Sequence, residues 1–270
     1  ELDALMQQQW SEPLEVMFAN NRSTDRSVTV AEQYRNRLPN LRIVNASERQ
    51  GQPFALNTGA RAARGESLAF CDADDEVGSG WLRAMGEALQ RHNFVACRFD
   101  VEKLNPSWTQ RARGRTQTEG LQKIWYPPYL THAGGGSLGV KRSLYEAIGG
   151  FDESLPILHD TDFCFRAQLE GTELQFVPDA VVHVRYRSTM GGLYRQSRSY
   201  AEYNILLAKR YQPEDTQNLQ LWKQYLGDWL RLVKQLTRLY SKEGQGRVMW
   251  LLGRQIGRLR ASLRCWAPPV

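Results

Sequence analysis

Apolar and polar positions alternate along this chain in two rhythms. Leu2, Leu5, Met6 and Trp10 recur at helical spacing in "ELDALMQQQW", which predicts the end of an amphipathic helix. "LEVMFA" is a short apolar run and "NNRSTD" a polar cluster, the pattern of a strand and its turn. Ser23, Thr24 and Asp25 offer oxygen caps to a helix through "RSVTVAEQYRNRL". The alternation continues through strand "LRIVNA", helix "PFALNTGARAARG" closed by Gly65, strand "SLAFCDA", helix "WLRAMGEALQRH" and strand "NFVACRFD". Strands and helices alternating at such short spacing predict an α/β fold with a mostly parallel sheet flanked by helices.

Residues 103–133 lose the rhythm and read as an irregular loop over a site. Dense patterning then returns, with a helix around Thr161–Glu170 ended by Gly171 and a strand "LQFV". From Met190 onward the pattern is wholly helical, with breaks near Pro213 and "SKEGQG". Two domains follow: residues 1–188 as an α/β domain and 189–270 as a basic, mostly helical extension.

Composition adds a division of charge. Of 270 residues, 41% are hydrophobic and 24% charged, so global disorder is excluded, and the net charge is +6. Residues from Arg185 onward carry 16 Lys and Arg against 5 Asp and Glu, so the earlier part is acidic and the tail meets something anionic. No apolar run approaches the roughly 20 residues that cross a bilayer. The start has neither a secretory signal nor an initiator Met, so Glu1 is expected to mark an internal boundary of a longer protein. Cys71, Cys97, Cys164 and Cys265 form no CxxC pair and read as buried thiols in a reducing, cytosolic setting.

In α/β sheets ligands gather at the carboxyl ends of strands. "DADDEV" lies at such an end, and Asp72 and Asp74 place two carboxylates together there. Hard cations such as Mg²⁺ or Mn²⁺ take oxygen ligands of this kind, often shared with substrate phosphates. A solvated acidic turn with Asp75 capping the next helix fits the same residues equally well. Asp160 and Asp162, in "HDTDFCFRA", stand where a helix dipole favours anions, or where Asp160 is an ordinary cap. The glycines of "GGGSLGVKR" permit close approach of backbone to a phosphate or sugar, or make a plain surface turn.

Taken in order, "FANNRSTD", "ASERQGQPFALNTGARAARGESLAFCDADDEV", "GGGSLGVKRSLYEAIGGFDE" and "HDTDFCFRAQLEGTELQFVPDAVVH" resemble the family 2 glycosyltransferases of the GT-A fold, from about Leu2 to Arg187. The resemblance implies inverting, metal-assisted transfer of a sugar from a nucleotide-diphosphate-sugar donor to an acceptor hydroxyl in cell-surface glycan or polysaccharide biosynthesis. It implies that Asp74 binds the metal with Asp72 as its partner on metal or ribose, and that Asp160 is the catalytic base. Gly135 and Gly136 would line the donor–acceptor cleft, and His183 lies near a position where some members place a metal ligand. Three departures stand out: the family's first strand is absent upstream of Glu1, Asn20 replaces the acid that contacts the donor's base, and His159 replaces the acid before the catalytic aspartate. With its neighbour strand missing, the fragment is expected to be poorly soluble or inactive beside an N-terminally extended chain.

In the tail, Trp222, Leu226, Trp229, Val233, Leu236 and Tyr240 recur at helical spacing and are expected to pack inward. Arg247, Arg254, Arg258, Arg260 and Arg264 accompany Trp250, Leu251, Ile256, Leu259 and Leu263, and two readings stand side by side. One is an amphipathic helix lying on an anionic membrane, which would carry a glycan or lipid-linked acceptor and place the protein on the inner face of the cell membrane. The other is a helical subdomain with a solvated basic face. No nucleic-acid module is present. The competing functions are a non-catalytic sugar-nucleotide or glycan-binding module of the same fold, and a nucleotidyltransferase.

Overall fold

The computed structural model describes residues 1–211 and 218–270; the expected break at Pro213 lies outside them. The elements open with α1 (Leu2–Met6), β1 (Val16–Asn20), α2 (Ser27–Tyr34), β2 (Leu41–Asn45), α3 (Gln52–Ala62) and β3 (Ser67–Ala69). Next come β4 (Glu76–Val77), α4 (Trp81–Arg91), β5 (Phe94–Asp100), α5 (Ser107–Arg113), β6 (Gln122–Lys123) and β7 (Thr131–His132). The remainder is β8 (Leu138–Lys141), α6 (Arg142–Ile148), α7 (His159–Leu169), β9 (Gln175–His183), α8 (Met190–Tyr211), α9 (Asn218–Gln235) and α10 (Lys242–Cys265). Two compact units emerge, one of residues 1–100, 117–121 and 131–183, the other of residues 101–116, 122–130 and 184–270.

The first unit is α/β, as the alternation predicts, but its pairings are mixed. β1 and β2 pair in parallel, and a five-stranded sheet runs β3-β8-β5-β9-β4. Within it only β5 and β9 are parallel; β8 runs against both of its neighbours and β4 against β9. The expectation of a mostly parallel sheet is corrected on this point. Helices cross over between strands only where the chain has length for it, and β8 is entered directly from a tight glycine turn.

The β5–β9 register skips from Cys97↔Val177 to Arg98↔Val181. Pro178 lies in the skipped stretch, and a residue with no amide hydrogen cannot serve a central ladder. Under the sheet, Phe70, Phe94, Phe151 and Phe163 form a buried aromatic cluster with centroids 5.1–5.5 Å apart. Each such ring removed from water contributes about 2–3 kcal/mol, with edge-to-face contacts adding to it.

Local capping differs from the sequence reading in two places. α4 begins after Gly80, because the two-residue strand β4 intervenes, so Asp75 does not cap it. α7 begins at His159 with Leu158 at the cap, so Asp160 and Asp162 occupy its first turn. Asp162 is fully buried and its carboxylate accepts from Arg166 Nε at 2.7 Å. Arg166 also donates to the carbonyls of Ile148 and Gly150. Arg166, held by Asp162, therefore ties α7 to the end of α6 and to Gly150 beyond it.

In the second unit, residues 107–113 form α5 where irregular chain was expected. Its Thr109 and Ala112 are buried, and Ala112 lies against Gly246 of α10. The helical tail is as predicted, but α9 carries outward the apolar stripe that was expected to pack. α10, read from the sequence either as a helix lying on a membrane or as part of a packed helical subdomain, packs closely on α8 and buries Gly253, Gly257, Ala261 and even Arg258. Arg258 donates to Asp228 at 2.7 Å and to the Pro269 carbonyl at 2.9 Å, which supplies partners for a buried cation. The apolar stripe of α9, expected to pack inward, is exposed at Leu226 and Val233; Tyr225 and Leu232 are buried in its place.

A methyl group added at Gly257 would overlap the backbone carbonyl oxygen of Arg198, whereas around Gly227 of α9 there is open space. Backbone cannot swing aside as a side chain can, so Gly257→Ala is expected to lower stability by about 1–2 kcal/mol net of its helix-propensity gain. Gly227→Ala should instead raise the melting temperature slightly. Thermal unfolding of both variants checks the pair, and a shift of the same sign in both would contradict the packing.

Candidate active site

The loops after β1 and β2 hold one another. Asn21 Nδ2 donates to the carbonyls of Ala46 and Arg49, and its Oδ1 accepts from Gly51 N at 2.8 Å. Arg22, at φ 58°, donates to the carbonyls of Ser47 and Glu48. Asn20, at the carboxyl end of β1, accepts from Ser23 N at 3.1 Å and so folds onto its own turn. This clamp fixes Gly51 and hence Gln52, the first residue of α3.

Gln52 Nε2 donates to Asp72 Oδ1 at 2.9 Å. Asp72 follows β3, and burial together with the charges of Asp74 and then Asp160 raises its pKa from 3.8 to about 6. The folded chain holds this proton between those values while an unfolded chain has lost it. The group's stabilisation is therefore present in acid and disappears as pH rises through about 6. Asp72→Asn is neutral throughout, so it should melt above the parent near pH 8 and level with it near pH 3.5. Equal melting temperatures at both would contradict the charge crowding.

The glycine turn joins the two acidic segments. Gly135 N donates to Asp160 Oδ2 at 2.8 Å, and Thr161 N donates to Asp160 Oδ1 at 2.8 Å. At Gly136 an added Cβ would lie 3.0 Å from the Asp72 carboxyl and 3.1 Å from its amide nitrogen. Two consecutive glycines thus touch Asp160 on one side and Asp72 on the other. The structure brings Asp72, Gly135, Gly136 and Asp160 together, with Asp74 close enough for its charge to act on Asp72.

Sequence reasoning missed the residue that braces this turn. Gln117, buried at φ 57°, donates from Nε2 to Cys97 O and Ser137 Oγ, each at 2.7 Å. Its Oε1 accepts from Gly134 N at 3.0 Å, and Ser137 Oγ closes the loop onto Gly134 O. A glutamine within an irregular polar stretch gives no periodic signal. Gln52 and His132 were missed as well. His132 Nδ1 lies 3.2 Å from Thr161 Oγ1, and burial lowers its pKa while the nearby Asp160 charge opposes that shift.

His159 is buried edge-on against Phe151 at 5.3 Å, and burial lowers its pKa, so it adds no positive charge beside Asp160 near neutrality. His183, the last residue of β9, lies with Nδ1 3.4 Å from Asp100 Oδ1 and opposite Glu76 of β4. Among the described residues no group of three or more His, Cys, Asp or Glu is arranged to hold a metal by itself. A hard cation would suit the oxygen donors Asp72 and Asp74 and would relieve their repulsion, with its other ligands drawn from substrate or water.

The α/β unit that gathers these carboxylates and glycines beyond its strand ends has the GT-A architecture of the solved glycosyltransferases it matches. Residues 2–149 match the sequence profile described as "Glycosyl transferase family 2". The chain belongs to that family. It is 24% identical over 219 residues to "Uncharacterized glycosyltransferase EpsJ" of Bacillus subtilis (strain 168), covering 70% of this chain and 60% of the relative. It is 34% identical over 115 residues to "Uncharacterized glycosyltransferase YibD" of Escherichia coli (strain K12), covering 43% and 31%. The chain thus spans less than two thirds of the length of these relatives.

The fold is shared with the mannosyltransferase PcManGT from Pyrobaculum calidifontis, solved with GDP-Man and Mn²⁺ (TM-score 0.58, 20% identity, 97% of this chain and 70% of that one). It is also shared with S. aureus TarS 1–349, solved with UDP-GlcNAc (TM-score 0.53, 17% identity, 98% and 87%).

Proposed function

We propose that this chain is a glycosyltransferase that moves a sugar from a nucleotide-diphosphate-sugar donor to an acceptor hydroxyl with inversion. The observation that carries the reading is the glycine turn seated between Asp72 and Asp160. Asp160, its carboxylate oriented by the amides of Gly135 and Thr161, takes the proton of the acceptor hydroxyl as that oxygen attacks the anomeric carbon. Asp72, held by Gln52, and Asp74 would hold Mg²⁺ or Mn²⁺, which would supply Lewis-acid neutralisation of the departing diphosphate. Gly135 and Gly136 let the substrates approach the backbone, and holding both in register supplies much of the acceleration. Asn20, at the β1 terminus, is the residue assigned to the donor's base, and His183 stands outside this set, beside Asp100.

Residues 1–188 carry this chemistry, and 189–270 form the helical extension, on the cytoplasmic side of the membrane. GDP-Man with Mn²⁺, and UDP-GlcNAc, in the fold neighbours support the donor class. The acceptor class is a glycan or a lipid-linked glycan of a surface polysaccharide. The test is a screen of nucleotide sugars with and without Mn²⁺, scoring transfer and hydrolysis. Metal-dependent turnover of one donor is expected. Saturable donor binding with no turnover in a chain extended at its N-terminus would assign a binding module instead.

A further inference from the structure

The outer face of α9 has a composition that its packing does not require. Trp222, Leu226, Leu230, Val233, Leu236 and Tyr240 recur every three or four residues from α9 into the turn that follows it, and all six are exposed, Leu226 at 61% and Leu230 at 68%. Six large apolar side chains in one line over about 27 Å, at 1.5 Å per residue, form a contiguous stripe rather than scattered exposure. α9 meets its own unit on a different face, through Tyr225, Leu232 and Asp228.

The charges on this helix are sorted by face. Lys223, Arg231, Lys234 and Arg238 fall along the flank of the stripe away from the packed face, at helical positions adjoining Leu226 and Leu230, and all four are exposed. Between residues 218 and 242 the single acid is Asp228, whose carboxylate accepts from the buried Arg258 at 2.7 Å and from Arg231 at 2.9 Å. The next acid, Glu243, is paired with Arg111. The exposed arc is therefore an apolar stripe whose margin is basic through Lys223, Lys234 and Arg238, with Arg231 paired to Asp228 beside them.

We infer that this face of α9 is a membrane-docking surface, lying in the plane of an anionic bilayer with Leu226, Leu230 and Val233 among the acyl chains and the basic flank on the headgroups. Charge decides between the possible occupants. A second copy of the chain would bring two basic margins together around a shared stripe, which like-charge repulsion opposes. A lipid surface carrying negative headgroups meets both the stripe and its margin. Among the described residues no helix is long and apolar enough to cross a membrane, so the contact is peripheral. The face belongs to α9 and not to the arginine-rich α10, whose Arg258 is buried and whose Arg254 stacks on Trp125 at 5.1 Å. The inference stands independently of the transfer chemistry, since its test reads binding alone.

The test is flotation of the whole chain with phosphatidylcholine vesicles and with vesicles containing about a third phosphatidylglycerol. Binding is expected only to the anionic vesicles, and it should weaken as salt rises. The exposed-stripe variant Leu226→Ser/Leu230→Ser/Val233→Ser should lose at least tenfold in partitioning, with an unchanged circular dichroism spectrum. A second variant, Lys234→Gln/Arg238→Gln, should lose about fivefold per removed charge while leaving the stripe intact. Binding that is equal for the parent and both variants would overturn the inference. So would absence of binding to anionic vesicles, with or without self-association in sedimentation that the stripe variant abolishes; that association would assign the face to a second copy.

Discussion

Asp160→Asn is expected to lower turnover about a thousandfold, within the range removed with a general base, while leaving donor affinity within a few fold of the parent. The split follows from the geometry. Asp160 sits in the first turn of α7, where Gly135 N and Thr161 N each donate to one of its oxygens at 2.8 Å. Asn keeps the size of the side chain and one acceptor oxygen, so the glycine turn retains most of its anchoring. The substitution removes the capacity to take a proton from an acceptor hydroxyl. The donor side of the cleft, Asp72 with Gln52, is untouched. Steady-state transfer with the donor identified by screening, beside calorimetric titration of the corresponding nucleotide diphosphate, separates the two quantities. Turnover above a tenth of the parent rate would remove Asp160 from the base role. Loss of donor affinity in step with turnover would make it an anchor of the turn and no more.

What the sequence made legible follows from which information is local. The α/β alternation and the strand-end position of Asp72 are written in periodicity, and the structure has both. Strand direction is not: "LGVK" has the same apolar run in either sense, and β8 is antiparallel because of how the glycine turn feeds it. The cleft's bracing was illegible for a related reason. Gln117 is far in sequence from Gly134 and Ser137, and its left-handed backbone carries no marker such as glycine.

The outward stripe of α9 and the buried face of α10 show the limit of amphipathic patterns, which identify a stripe without saying which face is covered. In α10 a second signal was available, Gly246, Gly253 and Gly257 at seven- and four-residue spacing. An added Cβ at any of the three would crowd a neighbour: Ala112 and Trp108 at Gly246, and α8 at Gly253 and Gly257. A stripe of glycines marks a helix approached closely by its neighbours, and such a helix cannot also present that face to lipid. Arg258 then reads as the cation of a buried pair with Asp228.

Gly136→Ala is expected to reduce kcat/KM about tenfold, short of the roughly hundredfold that an ångström misplacement costs in a catalytic site because the neighbour must give by only tenths of an ångström, whereas Gly135→Ala should stay within a few fold of the parent. The two glycines are adjacent, and neither lies among the glycines held at positive φ, so alanine is not barred by conformation at either position. The difference is what the new methyl meets. At Gly135 it finds Asp160 Cβ at 3.5 Å and His159 Nε2 at 3.8 Å, ordinary contacts that displace nothing. At Gly136 it finds the Asp72 carboxyl at 3.0 Å and the Asp72 amide nitrogen at 3.1 Å, and the amide belongs to the backbone and cannot rotate away. Asp72 must move, stretching its 2.9 Å bond from Gln52 and shifting one of the two carboxylates assigned to the cation. The defect should therefore appear mainly as a raised KM for the donor and a raised requirement for Mn²⁺, partly recovered at high metal concentration. Proton transfer at Asp160 keeps its geometry, so kcat at saturating donor and metal should recover most of its parent value. Equal losses in the two variants would show that the turn is sensitive to stiffening alone, and would remove Gly136 from the donor side of the cleft.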